Sequence, residues 1–358
     1  MNNIKRFNAH NDYINYMSSE NKILPNISYC EDNEEVHYSS APPPVTVYYN
    51  IQDISQPTPL FFYYDQYINL YEVDDKVLIE STPTTQSTYI NYQFDSVGEH
   101  YVRYWFYPLS GSTEPNNIGG NSPIFFNTSI ISRVYIPNYY ISIGPNVFLN
   151  CAGLTSITIG NSVTSIGNSA FNGCTGLTSI TIPDSVTSIG NGAFEGCTSL
   201  TSVTIGNGVT TIGGYAFTYC GVLTSIGPVG SGASLEIPNS VTSIGQSAFR
   251  ECTGLTSVSI PDSVTSISGD VFSGCIGITS VTIGNSVTSI SERAFYNCRV
   301  LESITSMATT APTIATNTFR NVKTGGTLTV PTGSTGYDVW MGTGNYYLGK
   351  YNWTKVEQ

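Results

Sequence analysis

The chain has 358 residues, of which 40% are hydrophobic, so it is long enough for two or three domains and too apolar to be disordered. Its net charge of −12 is uneven, because residues 1–117 hold 15 of the 25 acidic residues and only 5 of the 13 lysines and arginines. Neither part has the basic stripe that a nucleic-acid backbone or an anionic membrane surface requires, and we expect neither partner.

The N-terminal residues lack the apolar segment of a secretory signal, and no run approaches the roughly 18 apolar residues that span a membrane. We therefore expect no secretion signal and no membrane insertion. The eight cysteines are then predicted to be free thiols that pack as small apolar residues, because equivalent side chains in a stacked repeat point in parallel rather than towards each other.

Residues 1–41 are predicted to form a short α+β hairpin unit. Asn11 or Asp12 can cap a helix that extends to Met17. Two short β-rich runs, 27–30 and 36–38, flank an acidic turn and suggest a hairpin. The acidic residues of this turn are Glu31, Asp32, Glu34 and Glu35. They could hold a cation, but the ordered spacing of a calcium loop is missing, which favours a solvated turn.

The string from Phe7 to Tyr38 resembles an N-terminal segment of virion-associated proteins of tailed phages of gut Bacteroides-type bacteria, crAss-like phages among them. The resemblance covers about a tenth of the chain and includes no catalytic motif. It implies an attachment module that joins other virion proteins and carries different distal domains. The expected location is therefore the virion, after synthesis in the host cytoplasm.

Residues 45–110 follow a stiff polyproline linker at 42–44 and are predicted to form a small antiparallel Ig-like β-sandwich. Five short runs rich in Tyr, Phe and Val support this prediction, and the string 92–102 resembles a hairpin of PKD-like or other immunoglobulin-like modules. Fifteen of the 25 tyrosines lie in residues 1–117. Tyrosine suits sugar-stacking and interface surfaces, and it is also common in strands.

Residues 118–330 are predicted to form a solenoid, because phenylalanines recur at a constant interval from Phe125 to Phe217, then after one longer step, then again at nearly the first interval up to Phe319. From Phe148 to Phe295, a cysteine follows each phenylalanine by three positions. The predicted structural core consists of Phe148, Cys151, Phe171, Cys174, Phe194, Cys197, Phe217, Cys220, Phe249, Cys252, Phe272, Cys275, Phe295 and Cys298.

One repeat unit, 177–199, reads LTSITIPDSVTSIGNGAFEGCTS and shows the regular period. Leu177, Ile180 and Ile182 have the spacing of a leucine-rich-repeat strand, and Phe194 and Cys197 share one face of a predicted short helical turn. The unit is similar to the BspA-like, or Treponema-type, leucine-rich repeat over most of the predicted solenoid. The predicted fold is thus mainly β, with a solenoid whose repeats contain a strand and a short helix. Residues 331–358 are expected to form its C-terminal cap.

The outward positions of the repeat strands carry hydroxyl groups and are the candidate binding surface. They are Ser156, Thr158, Ser179, Thr181, Ser202, Thr204, Ser257, Ser259, Ser280 and Thr282. A second hydroxyl row comes from Ser165, Ser188, Thr211, Ser243, Ser266 and Ser289. Three interpretations stay open: a carbohydrate- or protein-binding face, a face like that of ice-binding solenoids, or β-compatible filler without a ligand.

The one longer step, from Phe217 to Phe249, places an insertion near 227–234, and Pro228, Val229 and Ser231 are candidate binding residues there. Insertions in repeat proteins often carry binding loops, and a tolerated surface loop is an equal alternative.

No catalytic or metal-binding motif emerges, since the three histidines lie outside the repeats and cysteines separated by a whole repeat do not converge on one ion. The sequence therefore predicts no cofactor and no enzyme activity. The predicted function is a phage or prophage virion-associated protein that binds a host-surface glycan or protein, with further copies of the chain as an additional partner. The alternatives are a bacterial BspA-like cell-surface adhesin and a glycan-acting hydrolase.

Overall fold

The computed structural model describes residues 5–7, 28–29, 36–37, 45–63, 68–74, 77–80, 88–106, 117–118, 124–125, 127–228 and 234–358. The helix expected up to Met17, the acidic turn at 31–35, the linker at 42–44, Cys30 and the loop 229–233 lie outside these residues. The described part is almost entirely β-structure, which confirms the mainly-β prediction. Its one helix within these ranges is a 3-10 helix at Leu348–Tyr351.

The strands are, in chain order, β1 (Lys5–Phe7), β2 (Ser28–Tyr29), β3 (Val36–His37), β4 (Val45–Ile51), β5 (Thr58–Tyr63), β6 (Ile68–Val73), β7 (Val77–Glu80), β8 (Thr88–Tyr92), β9 (Gly98–Phe106), β10 (Asn117–Ile118), β11 (Ile131–Tyr135), β12 (Ser142–Ile143), β13 (Ser156–Thr158), β14 (Ser165–Ile166), β15 (Ser179–Ile182), β16 (Ser188–Ile189), β17 (Ser202–Ile205), β18 (Thr211–Ile212), β19 (Ser225–Gly227), β20 (Leu235–Glu236), β21 (Ser243–Ile244), β22 (Ser257–Ile260), β23 (Ser266–Ile267), β24 (Ser280–Ile283), β25 (Ser289–Ile290), β26 (Ser303–Ser306), β27 (Thr313–Ile314), β28 (Thr327–Val330) and β29 (Thr354–Glu357).

The repeats form a parallel solenoid of about ten turns, which confirms the predicted repeat period. Each turn has three sides. The long-strand face contains β11, β13, β15, β17, β19, β20, β22, β24, β26, β28 and β29, and the short-strand face contains β10, β12, β14, β16, β18, β21, β23, β25 and β27. The third side, the turn face, carries the phenylalanine and cysteine of each repeat and has no strand in the described residues.

Alternation of apolar and polar residues explains how each turn buries its core. In β15, Ile180 and Ile182 point inward while Ser179 and Thr181 point outward, as the two-residue period of a strand requires. On the short-strand face Ile189 is buried next to half-buried Ser188. The phenylalanine rings from Phe125 to Phe319 stack face to face along the axis, with centroids 5.3 to 5.8 Å apart.

The predicted short helix of the repeat is wrong, because the segment around each phenylalanine bonds mainly to the next turn. The N–H groups of Phe194 and Gly196 donate to carbonyl oxygens of residues 216 and 218, one turn further on, at 2.8 and 2.9 Å. Only intervening groups bond locally, such as Cys197 N–H to Phe194 O at 3.2 Å. Gly192 and Gly196 have φ of +60° and +71°, outside the helical region.

The N-terminal strands share one sheet with the first turns of the solenoid, in the order β1-β7-β6-β9-β4-β11-β13. β4 pairs antiparallel with β9 on one side and with β11 on the other, so it stands where a preceding long strand would lie. The Tyr104 ring packs edge-on against Phe125, with centroids 5.0 Å apart. β5 and β8 form a separate two-stranded ladder. This arrangement does not establish the predicted sandwich as a unit apart from the solenoid.

The C-terminal residues close the other end. β29 pairs with β28 in parallel and extends the long-strand face. The Trp340 ring lies 5.4 Å from that of Phe319, at the end of the phenylalanine stack, and its Nε1–H donates to Pro312 O at 2.9 Å. Trp353 donates to Lys323 O at 2.7 Å. Aromatic residues from outside the repeats therefore terminate the stack at both ends.

The inserted segment adds a strand. β19 pairs with β17 and with β20, and β20 pairs with β22, whereas β18 pairs directly with β21 on the short-strand face. The long-strand face thus gains one extra strand, about 4.8 Å of sheet width, within a single turn. The insertion is consequently part of the sheet at its two ends, with residues 229–233 between them.

Candidate binding surfaces

Two rows of hydroxyl groups run along the long-strand face, since the register places equivalent residues of successive strands side by side. Ser179 pairs with Ser202, and Thr181 with Thr204. Beyond the insertion, Ser257 pairs with Ser280 and Ser259 with Thr282. The exposed members of the predicted set are Ser156, Thr158, Ser179, Thr181 and Ser259, and the half-buried members are Ser202, Thr204, Ser257, Ser280 and Thr282.

A different set of threonine hydroxyls holds the turns together. Thr201 Oγ1, just before β17, donates to Thr178 O at 2.9 Å, and Thr224 Oγ1 donates to Thr201 O at 3.1 Å. On the short-strand face Thr187 Oγ1 donates to Thr164 O at 3.1 Å. These exposed threonines therefore have a structural role, and they are distinct from the outward strand positions that are the candidate binding residues.

The extra strand interrupts the outer row. Thr204 pairs with Gly227, which is buried and has no side chain, and the next residue in the row is the exposed Glu236. Ser234 Oγ donates to Glu236 Oε1 at 3.3 Å. Pro228 is half-buried, whereas Val229 and Ser231 lie outside the described residues. The insertion thus places one carboxylate between the hydroxyl groups of the outer row.

The aspartates at the corners after β15 and β22 accept hydrogen bonds from the backbone. Asp184 Oδ1 accepts the N–H of Asn207 at 2.7 Å, and Asp262 Oδ1 accepts the N–H of Asn285 at 2.7 Å. Each carboxylate thereby satisfies a turn N–H one repeat further on. This contact gives both aspartates a structural role at the turn.

The seven repeat cysteines are free and buried, and burial raises the pKa of Cys174, Cys220 and Cys275 to about 12. The same desolvation raises the pKa of Cys197 and Cys252 well above the ordinary thiol range. Thiols that stay protonated are poor nucleophiles and poor metal ligands. Among the described residues, no three His, Cys, Asp or Glu side chains are grouped so that they could hold a metal ion.

A Ser–His–Asp arrangement that sequence analysis missed lies in the N-terminal sheet. His100 Nδ1 lies 2.6 Å from Asp74 Oδ2, and Ser96 Oγ lies 3.4 Å from His100 Nε2. However, Nε2 lies closer to the Ser96 carbonyl oxygen, at 3.0 Å, than to the Ser96 hydroxyl. A general base needs Nε2 free to accept a proton from serine. The cluster is a structural tie between β9 and the turn after β6.

The architecture defines the class: a parallel leucine-rich-repeat solenoid with an aromatic stack and two capped ends. A family model described as the BspA type leucine rich repeat region, in six copies, matches residues 120–228 and 229–337. These ranges cover more than half of the chain, and the protein belongs to this family. No curated protein matches the chain.

Solved structures with similar repeats include the T. pallidum leucine-rich repeat protein TpLRR, at 26% identity and a TM-score of 0.40, over 48% of this chain and 83% of that one. A leucine-rich cell surface protein from Faecalibacterium prausnitzii is 23% identical with a TM-score of 0.29, over 68% and 87%. The pneumococcal vaccine antigen PcpA is 13% identical with a TM-score of 0.30, over 75% and 88%.

No helix of the described residues is long and apolar enough to cross a bilayer.

Proposed function

We propose that this protein is a non-catalytic adhesin whose long-strand face binds a host-surface glycan or protein. The observation that supports this most is the pair of outward hydroxyl rows on a fixed lattice, with neighbouring strands about 4.8 Å apart. A rigid scaffold of this kind loses little conformational entropy on binding, and its hydroxyls both donate and accept hydrogen bonds.

The proposed location is a phage or prophage virion, to which residues 1–41 attach the chain through other virion proteins. The resemblance of Phe7–Tyr38 to phage virion segments supports this location, as does a repeat with seven free thiols, which suits folding in a reducing cytoplasm. Membership of the BspA-type family favours the second candidate, an adhesin on the surface of a bacterial cell.

The two locations are separated by fractionation of an induced, phage-producing culture. Mass spectrometry of gradient-purified particles is expected to detect the protein in amounts comparable to other minor virion proteins. Its absence from particles, together with protease-accessible protein on cells free of phage, would exclude the virion and favour the cell-surface adhesin.

The binding face is tested with the full chain in a whole-cell binding assay. Replacing Thr181 and Thr204 by Arg places two long charged side chains over the outer row, and we expect at least a tenfold loss of binding. The control is Ser188→Arg together with Thr211→Arg on the short-strand face, which should bind as the wild type does. Equal binding by both double variants would rule out the long-strand face.

A further inference from the structure

The turn face carries two exposed tyrosines at backbone positions that disfavour large side chains. Tyr215 and Tyr219 lie two residues before and after Phe217, with φ of +60° and +62°, and these residues are 43% and 48% exposed. In the preceding turn the same positions hold Gly192 and Gly196. A bulky residue in the left-handed region is uncommon, and the equivalent positions of the other turns hold glycine or polar residues, so two aromatic residues in one turn need an explanation.

A cluster of polar groups lies in the two turns before these tyrosines. Asn172 Nδ2 donates to Glu195 Oε2 at 3.2 Å. A Cβ added to Gly192 would lie 3.1 Å from that carboxylate oxygen, 3.5 Å from Ser169 Oγ and 3.7 Å from Asn172 Nδ2, so the three groups converge above this glycine. Gly192 N–H donates to the carbonyl of Gly214, directly before Tyr215. The polar cluster and the first tyrosine are therefore immediate neighbours.

The floor beside the second tyrosine is bare. A Cβ on Gly196 would approach only backbone atoms of Gly173, at 3.9 Å. On the far side the Arg250 guanidinium lies 5.9 Å from the Tyr219 ring centroid. Two exposed aromatic residues, bare glycine backbone, and a cluster of a carboxylate, an amide and a hydroxyl therefore occupy adjacent turns of the turn face.

We propose that this surface, defined by Tyr215, Tyr219, Glu195, Asn172 and Ser169, binds a neutral hexopyranose unit of a glycan. Tyrosine rings present a flat, electron-rich face to which the C–H groups of a pyranose are attracted, and the polar cluster supplies acceptors and donors for its hydroxyls. The Glu195 carboxylate and the Arg250 guanidinium have opposite charges, so this surface has little net charge and favours a neutral sugar over an acidic one. This site lies on the turn face and does not depend on the hydroxyl rows of the long-strand face.

The repeat itself supplies a variant that separates binding from folding. Tyr215→Gly with Tyr219→Gly reproduces the residues one turn earlier, and glycine adopts positive φ without strain. The double variant should therefore fold with a Tm equal to or above that of the wild type, although it lacks both tyrosine rings. The matched control is Tyr135→Thr, because Tyr135 is 47% exposed on the long-strand face and pairs with Thr158.

The full chain and its variants are applied to a printed array of neutral and sialylated oligosaccharides, and the affinity for retained structures is measured by calorimetry. We expect the wild type to retain neutral oligosaccharides, the double variant to bind them at least tenfold more weakly, and Glu195→Gln to bind about fivefold more weakly. Tyr135→Thr and the Arg variant at residues 188 and 211, on the short-strand face, should bind as the wild type does.

The proposal fails if the wild type retains no neutral oligosaccharide, if it prefers sialylated ones, or if the folded double variant binds as the wild type does. Loss of whole-cell binding by the double variant without any glycan binding by the wild type would instead indicate a protein partner and overturn the sugar assignment. Failure of the long-strand face in the whole-cell assay leaves these outcomes unaffected, because the two sets of variants lie on different faces.

Discussion

Each repeat cysteine connects its turn to the one before it. Cys174 Sγ lies 3.1 Å from Phe148 O, and Cys197 Sγ lies 3.2 Å from Phe171 O. The same phenylalanine carbonyl also accepts the N–H of the cysteine in its own turn, as Phe171 O does from Cys174 at 3.2 Å. The thiol therefore fills a small buried space and adds a weak second donor, a role that spacing in the sequence does not reveal because the partner lies in the preceding repeat.

Cys197→Ala should lower the free energy of unfolding by about 1–2 kcal/mol, because it removes the sulfur volume and the weak hydrogen bond while the carbonyl keeps its N–H donor. Cys197→Ser keeps a donor of similar size. Its loss of stability should therefore come from desolvation of the buried hydroxyl and not from lost volume. Urea unfolding of both variants checks this. An alanine variant as stable as the wild type would show that the cysteine position is not tightly packed.

Burial of the thiols also predicts a loss of stability in alkali. Below pH 9.0 the thiols are protonated in both states, but above it the unfolded chain releases protons that the folded chain keeps, since the folded pKa of Cys174, Cys220 and Cys275 is about 12. Each such thiol lowers stability by up to about 1.4 kcal/mol per pH unit between these values.

The urea midpoint should therefore fall steeply from pH 9 to pH 11. Tyrosines titrate in the same range, so the informative quantity is the difference between the wild type and Cys275→Ser, which has no ionisable group at this position. The Cys275→Ser variant should lose less stability over this interval. Parallel plots of urea midpoint against pH for the two proteins would contradict the raised pKa of the buried thiol.

At the scale of one element, the segment around each phenylalanine shows where sequence reasoning fails. The i, i+3 spacing of Phe194 and Cys197 is shared by helices and by successive turns, and the sequence does not distinguish them. In the structure, positive φ at the positions two residues before and after the phenylalanine distinguishes successive turns from a helix. Gly192 and Gly196 occupy these positions and are the sequence signal that could have indicated turns. The strands were predictable because their two-residue alternation has no such competitor.

The inserted strand gives a testable prediction at the scale of one element. Deleting residues 228–236 joins Gly227 to Ile237 and restores the unit LTSIGIPNSV, which matches the spacing of its neighbours. We expect a folded solenoid with a Tm within a few degrees of the wild type, because the short-strand and turn faces already continue directly across this point.

The control deletion removes an equally long segment, 205–213, from the preceding regular turn. It takes away the buried Val209 and Ile212 and breaks the repeat register, so it should unfold the adjacent turns. Circular dichroism and thermal unfolding compare the two. Collapse of the 228–236 deletion would mean that the extra strand is required for the solenoid to form.

For the whole molecule, the sequence predicted the period, the family and the buried ladder, but not how the N-terminal strands meet the repeats. β4 pairs with β11 although the two strands lie far apart in the chain, with Tyr48 opposite Arg133. Such pairing has no local signal, since only the fold brings the two strands together. The Arg133 guanidinium lies 4.2 Å from the Tyr48 ring centroid and bonds to Glu99, contacts that tie three strands together at this junction.

The sequence analysis also did not predict the exposed tyrosines of the turn face. Tyr215 and Tyr219 differ from the repeat consensus, but their exposure and their neighbours depend on the bonding of the turn face, which was predicted as a helix. A comparison of equivalent positions between turns would have shown two large residues where the adjacent repeat has glycines. The functional interpretation of the sequence therefore concentrated on the long-strand face.

The shared sheet predicts that the repeats do not fold well alone. A chain of residues 117–358 lacks β4, so β11 becomes an open edge, and it lacks Tyr104, so the Phe125 end of the stack is exposed to water. A chain of residues 45–358 keeps both. We expect the longer chain to be monodisperse by light scattering with a single unfolding transition, and the shorter one to aggregate or to melt at a lower temperature. Equal behaviour of the two would mean that the first repeat supplies its own cap and that the N-terminal strands are only attached to it.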